Sequence, residues 1–360
     1  MSDRIPVTYR VRSDAASIAA RAGTIAVEQS VEMPLAAIDE PTVLHDIVGE
    51  VQSIDDLGGG VFAVRIGLAA ATIGDDAGQL LNMLFGNTSL HDDVVLWDVE
   101  LPRGFSRPRH GIAGLRAGVG AFGRALTCSA LKPQGLSPQR LGDLAERFAR
   151  GGIDYIKDDH GLADQTYSRF AERVRACALG VARANKATGH PTHYLPSLSG
   201  NLDTMREQAA IARDCGLDCL LVAPVIAGFA NAQALAGEFP DMAFFAHPAM
   251  GGAARIAPEL LIGKLFPMLC ADAVIFPNFG GRFGYTPETC RRLADNARSA
   301  ECPAMPVPAG GMTLERTPEL LDFYGADAML LIGGNLLLAR ERLTEATAAF
   351  TRAVARHDYR

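Results

Sequence analysis

No C-x-x-C pair occurs in the 360 residues, and the seven cysteines (Cys128, Cys177, Cys215, Cys219, Cys270, Cys290, Cys302) are scattered and odd in number. That usage points to reduced thiols in a cytosolic protein, and away from a disulfide framework or a zinc site. Basic residues form no long block, and 34 of them against 41 acidic ones leave a net charge of −7. A nucleic-acid partner is therefore not expected. No uninterrupted apolar stretch reaches the roughly 18–20 residues of a membrane helix. The opening MSDRIPVTYR carries no apolar signal core, so the expectation is a cytoplasmic protein without a membrane partner. What is present is 48% hydrophobic and 21% charged residues, enough for a large core. At about 100–200 residues per domain, the length suggests two domains.

The two expected domains, 1–120 and 121–360, are written differently. In the first, Ile5–Arg12, Val61–Ile66 and Val94–Glu100 alternate as strands, while Ala15–Glu28 and Ala77–Leu84 show helical spacing. Gly58-Gly59-Gly60 reads as a turn. This order predicts a ferredoxin-like α+β module. The Gly-, Arg- and Pro-rich stretch Pro102–Gly123 reads as a connector. From Leu126 onward, eight short apolar runs each end in a polar or Gly/Pro tip and are followed by a helical segment. They are Leu126–Lys132, Tyr155–His160, Thr192–Ser197, Cys219–Pro224, Ala243–His247, Ala273–Asn278, Met305–Gly310 and Ala328–Gly333. Eight such units predict a (β/α)8 TIM barrel, giving an α/β chain with an α+β module in front. An open doubly wound sheet also alternates strand and helix, but no G-x-G-x-x-G follows the first run. The segment Leu343–Ala355 reads as a closing C-terminal helix.

A TIM barrel carries its chemistry at the C-terminal ends of its strands. The strand tips supply Lys132, Lys157-Asp158-Asp159-His160, Ser197 with Ser199, His247, Asn278 with Arg282, Gly310-Gly311 and Gly333-Gly334. Singly, each has an ordinary reading: a solvated lysine, a helix-capping aspartate, a turn glycine. The fold makes them converge. Glycine pairs after strands seven and eight match the usual phosphate site of such barrels, where main-chain N–H groups meet an anion. Strand alternation turns Lys157 and Asp159 the same way, with His160 entering the next loop. Such a cluster suits proton transfer by a lysine, or metal ligation once the amine becomes an anionic carbamate.

Several segments resemble the large chain of ribulose bisphosphate carboxylase (RuBisCO). They are Phe105-x-x-Pro108-x-His110-Gly111-Ile112, Gly123-Arg124, Lys132-Pro133 and Gly135-Leu136-Ser137. Gly151-Gly152-Ile153-Asp154-Tyr155-Ile156-Lys157-Asp158-Asp159 is similar to that family's G-G-x-D-F-x-K-D-D-E metal motif. His193-Tyr194-Leu195, His247-x-x-Met250, Ala309-Gly310-Gly311 and Gly333-Gly334 follow in order. Val27-Glu28-Gln29-Ser30 and Phe85-Gly86-Asn87 resemble the N-terminal segments that complete a neighbouring subunit's site.

The departures from the carboxylase pattern point to the RuBisCO-like proteins (form IV). The motif ends in His160 where carboxylases have Glu, and Gln134 stands for the second Lys of K-P-K, with one residue fewer. His247-Pro248-Ala249-Met250-Gly251 loses an Arg and a His that hold the second phosphate. Ile275 replaces another His, Pro196 an Asn, and Arg282 the mobile-loop Lys. Pro248 and Ile275 cannot bind an oxyanion through a side chain. The resemblance therefore implies a singly phosphorylated ketose as substrate, held by Gly310, Gly311, Gly333 and Gly334. It implies a divalent ion on carbamylated Lys157, Asp159 and His160. Mg2+ is the family's ion, and Mn2+ or another divalent ion suits the imidazole of His160. Lys132 becomes the proton shuttle, His247 orients a substrate hydroxyl and Arg282 closes over the site. Glu28 and Asn87 would reach in from the partner of a homodimer. The implied reaction is enolisation, as isomerase or tautomerase of a methylthio-pentulose phosphate in methionine salvage. The alternatives are decarboxylation of a 3-oxo sugar-acid phosphate and non-catalytic phosphosugar binding. For the methylthio group, Pro196, Pro248, Met250, Ile275 and Phe279 are the expected apolar lining.

Overall fold

Every second residue of RIPVTYRVR is apolar, and in the computed structural model this strand, β1 (Arg4–Arg12), buries each of them. The structure describes residues 3–101, 107–299 and 303–359. It divides into two compact units, 1–106 with 250–261, and 107–249 with 262–360.

In the first unit, helix Ile18–Glu28 follows β1, then β2 (Glu50–Asp56), β3 (Val61–Ala69), helix Ala77–Phe85 and β4 (Val94–Val99). The antiparallel sheet has the order β2-β3-β1-β4, which is the ferredoxin-like arrangement. Strand β2 has no counterpart in the sequence reading. It is an edge strand of EVQSIDD with no fully buried residue, so no alternation marks it. The segment 250–261 joins this unit because Leu96 N–H donates to Arg255 and Ala257 N–H donates to Leu96.

The second unit contains the eight expected strands: β5 (Leu126–Leu131), β6 (Tyr155–Asp158), β7 (His193–Leu195), β8 (Cys219–Val222), β9 (Ala243–Ala246), β10 (Ala271–Pro277), β11 (Met305–Ala309) and β12 (Met329–Leu331). All pair in parallel in the order β7-β6-β5-β12-β11-β10-β9-β8. The ring closes between its two end strands through a single bridge, Ser197 to Leu221. Alternate strand residues, among them Cys128, Leu221, Phe245, Ile275 and Val307, fill the interior. The Gly-rich connector is in part a helix, Gly111–Val119, and it belongs to the barrel unit. Its Leu115 and Val119 pack with the barrel core, a pattern hidden among three glycines. Phe105 lies outside the described residues. The C-terminal helix, Leu343–Arg356, packs against helix Pro138–Arg150. Among the described residues, no helix is long and apolar enough to cross a membrane.

Candidate active site at the barrel mouth

Neighbouring strands bring the chemistry together. Ala130 of β5 is in register with Lys157 of β6, so Lys132, two residues further on, rises beside the Lys157–His160 segment. Lys132 Nζ lies 2.6 Å from Asp159 Oδ1, and His160 Nδ1 lies 3.4 Å from the same oxygen. One carboxylate thus serves an amine and an imidazole. Burial works to raise the Asp159 pKa, but hydrogen bonds from His160 and Lys132 and the charge of Lys157 prevail. They hold it well below the usual carboxylate range.

Lys157 is buried, and its Nζ donates to the main-chain oxygen of Asp158 at 2.7 Å. Burial pushes its pKa down, and the charge of Asp159 only partly restores it. Asp158, on the opposite face of the strand, is pinned by Arg173 Nε at 3.1 Å, by the Tyr194 hydroxyl at 2.8 Å and by Ser197 N–H at 3.1 Å. It fixes the strand end from which Lys157 and Asp159 project. Sequence spacing gave Asp158 no role of its own.

His247, after β9, stacks on His160 with ring centroids 4.1 Å apart and planes 13° from parallel. Its Nδ1 accepts Ala249 N–H at 3.1 Å. Burial, then the charges of Lys157 and His160, bring its pKa down to about 2. It is therefore a neutral imidazole whose Nε2–H is the donor.

Gly310 and Gly311 follow β11, and Gly333 and Gly334 follow its neighbour β12. Among the described residues, none of their four N–H groups has a main-chain acceptor. A Cβ on Gly311 would come within 2.6 Å of Gly281 Cα, and its φ is +68°. Backbone meets backbone there, and only glycine allows it. Arg282, on the loop after β10, is exposed with its guanidinium 4.8 Å over the Phe283 ring. Asn278 is buried and accepts the Tyr324 hydroxyl at 2.6 Å.

Ile275 sits inside the barrel core, and Phe279 packs on Phe323 with centroids 4.7 Å apart. Met250 is 60% exposed. In the first unit, Asn87 Nδ2 donates to Glu28 at 3.0 Å and to Glu32 at 2.8 Å. The expected pair is therefore in contact, and Glu32 is a third member that spacing did not reveal. His193, carried by the resemblance, lies at the start of β7 and so at the other end of the barrel.

The residues present fit a divalent cation held through a carbamate. Burial moves Lys157 toward the neutral amine that takes up carbon dioxide, and Asp159 is held ionised beside it. The donors are then two oxygen groups and the His160 nitrogen.

This geometry agrees with the relatives of the chain. Residues 111–260 match the family described as ribulose bisphosphate carboxylase large chain, catalytic domain. The chain is 58% identical to 5-methylthioribulose-1-phosphate isomerase of Rhodospirillum rubrum over 363 residues, covering 99% of this chain and 97% of that protein. Identity to ribulose bisphosphate carboxylase-like protein 1 of Rhodopseudomonas palustris is 54%, over 99% of both chains. The crystal structure of a Rubisco-like protein from Rhodopseudomonas palustris superposes with a TM-score of 0.93 at 50% identity, covering all of both chains. With the lysine–aspartate cluster on β5 and β6, the glycine pairs on β11 and β12, and a fold shared from end to end, the chain belongs to the RuBisCO large-chain family, in its RuBisCO-like branch.

Proposed function

We propose that this protein is an isomerase of a methylthio-pentulose phosphate, working by proton transfer next to a ketone. The carrying observation is the Lys132–Asp159 pair at 2.6 Å, set beside a buried Lys157 and a neutral His247. The N–H groups of Gly310, Gly311, Gly333 and Gly334 bind the single phosphate. His247 Nε2–H donates to the substrate oxygen and holds the reacting carbon over Lys132. Lys132, once it has handed a proton to solvent, takes the proton from the carbon flanking the carbonyl and leaves an enediolate. The resulting ammonium returns that proton, or one exchanged with solvent, to the adjacent carbon, so atoms and charge balance. Asp159 stabilises the ammonium between the two transfers.

Carbamylated Lys157, Asp159 and His160 are the residues to hold a divalent ion, which supplies Lewis-acid stabilisation of the developing oxyanion when bound. Family membership favours Mg2+, and the His160 nitrogen broadens the choice to Mn2+. Arg282 closes over the bound ligand. Glu28 and Asn87, joined by Glu32, complete the site of a partner subunit, which makes a homodimer the working unit.

The test is incubation with 5-methylthioribulose 1-phosphate in deuterated water. Isomerised product with deuterium on the carbon beside its carbonyl is expected. Binding without exchange or product would reduce the protein to a phosphosugar binder. Exposed Arg282 offers a cation for a carboxylate, which favours the second reading, decarboxylation of a 3-oxo sugar-acid phosphate. Carbon dioxide released from such a substrate, with no isomerase activity, would establish that reading instead.

A further inference from the structure

The opposite end of the barrel holds a second cluster of ligating side chains, unconnected with the proposed reaction. His193 opens β7, and Asp218 immediately precedes Cys219, which opens β8. One donor atom from each lies within 4.8 Å of the others. We propose that His193, Asp218 and Cys219 form a three-ligand zinc site, completed by water, that staples the seam of the barrel.

The donor chemistry fits. Histidine nitrogen, carboxylate oxygen and thiolate sulfur are each zinc ligands, and three of them with water in the fourth place make an open tetrahedral set. Asp218, its side chain 56% exposed, leaves that place open to solvent. Zinc–ligand bonds of about 2.0–2.3 Å set donor separations of roughly 3.3–3.8 Å, within reach of this cluster by side-chain movement alone.

The orientation of His193 fits as well. Its Nε2 lies 3.0 Å from the main-chain oxygen of Gly118, and its ring stacks on Tyr155 with centroids 5.3 Å apart. A backbone carbonyl on one ring nitrogen is the second-shell arrangement of metal-bound histidines, and it leaves the other nitrogen turned toward Asp218. Nδ1 is then the ligand atom, and it already faces Asp218 Oδ1 at 2.8 Å. On binding, Cys219 gives up its thiol proton and His193 any proton on Nδ1, both to solvent.

Position supplies the reason for such a site. Strands β7 and β8 are the two ends of the sheet, joined by one bridge, Ser197 to Leu221, and not by a ladder. The cluster spans the starts of these same two strands. An ion there would add a second tie between these two end strands. Sequence spacing does not announce it, because His193 and Asp218 are 25 residues apart and no second cysteine accompanies Cys219.

Co2+ added to chelator-treated protein is the probe, because a cobalt–thiolate charge-transfer band reports cysteine ligation and ignores the Lys157–Asp159–His160 cluster at the mouth. One equivalent should give that band with tetrahedral d–d absorption, and Zn2+ should bleach it. Cys219→Ala and His193→Gln should abolish the band. Asp218→Asn, at an exposed position, should weaken Co2+ binding at least tenfold while folding normally. Zn2+ at about 100-fold over its Kd should raise the Tm by roughly 3–5 °C. That rise should be absent in Cys219→Ala. No thiolate band in the wild type overturns the proposal and leaves a simple imidazolium–carboxylate pair. A Tm rise that survives in Cys219→Ala overturns it too, by placing the stabilising zinc elsewhere.

Discussion

The two ends of the barrel use the same kinds of residue to opposite effect. At the floor, each charge is answered by fixed partners. Asp154 takes both guanidinium nitrogens of Arg124 at 2.8 Å, with the N–H and hydroxyl of Thr127 at 2.8 and 2.9 Å. Asp272 accepts the N–H groups of His110, Gly111 and Phe244. At the mouth the partners run short. One carboxylate, Asp159, serves Lys132 and His160, and Lys157 finds only a carbonyl. Saturated charges hold a structure together, whereas under-partnered charges in a cleft leave electrostatic work for a ligand to complete.

The sharpest way to break this contrast is to remove one charge from each end. Lys132→Ala at the mouth should lower kcat at least about 10^3-fold, the range of a general acid–base group. Affinity for a phosphate-bearing inhibitor should stay within about tenfold, since the lost interaction belongs to the transition state. Near-normal turnover in single-turnover assays would remove Lys132 from the mechanism.

Asp154→Ala at the floor should do the reverse. Removing one partner of a buried ion pair costs about 3 kcal/mol, read in urea melts, while kcat per folded molecule stays near wild type. The pH dependence follows from the same bonds. Burial works against ionisation of Asp154, but the hydrogen bonds of Arg124, with His190 Nε2 3.2 Å away, hold its pKa at about 2, below the ordinary 3.8. A depressed carboxyl contributes stability that is complete above the unfolded value and is lost as pH falls toward about 2. The stability gap between wild type and Asp154→Asn should therefore narrow between pH 5 and about pH 2. A gap that widened with acid would contradict the pairing.

The contrast also explains what sequence reasoning could reach. Barrel strands are buried on both faces, so runs such as Leu126–Leu131 and Ala243–Ala246 stand out as apolar blocks. Edge strand β2 has only partial burial and left no such mark. Helix Gly111–Val119 was hidden because glycine and arginine fill the positions between its apolar contacts. At the mouth, Lys132, Lys157 and Asp159 were visible because strand ends are predictable places. The shared use of Asp159, the pinning of Asp158 by Arg173 and the contact of Glu32 with Asn87 were not, since each joins distant segments. Ile275 and Phe279 show the converse. Their strand-tip positions suggest a pocket lining, and the structure adds that Ile275 packs in the barrel core and Phe279 against Phe323.

The smallest effect tests whether the phosphate cradle depends on backbone approach or on loop composition. Gly311 and Gly334 are both glycines at a strand tip, yet their surroundings differ. Alanine at 311 must adopt a φ of +68° and push a methyl group to 2.6 Å from Gly281 Cα. The left-handed conformation alone costs roughly 1–2 kcal/mol, and relieving the clash moves the Gly310–Gly311 N–H groups off the anion. Alanine at 334 meets nothing within 4 Å and begins a helical turn, where it is welcome. Inorganic phosphate or a monophosphate inhibitor should therefore bind about tenfold more weakly to Gly311→Ala and within about twofold of wild type to Gly334→Ala. Equal losses in both would mean that the anion contacts the glycine Cα positions directly, so that any methyl group near the strand tips excludes it.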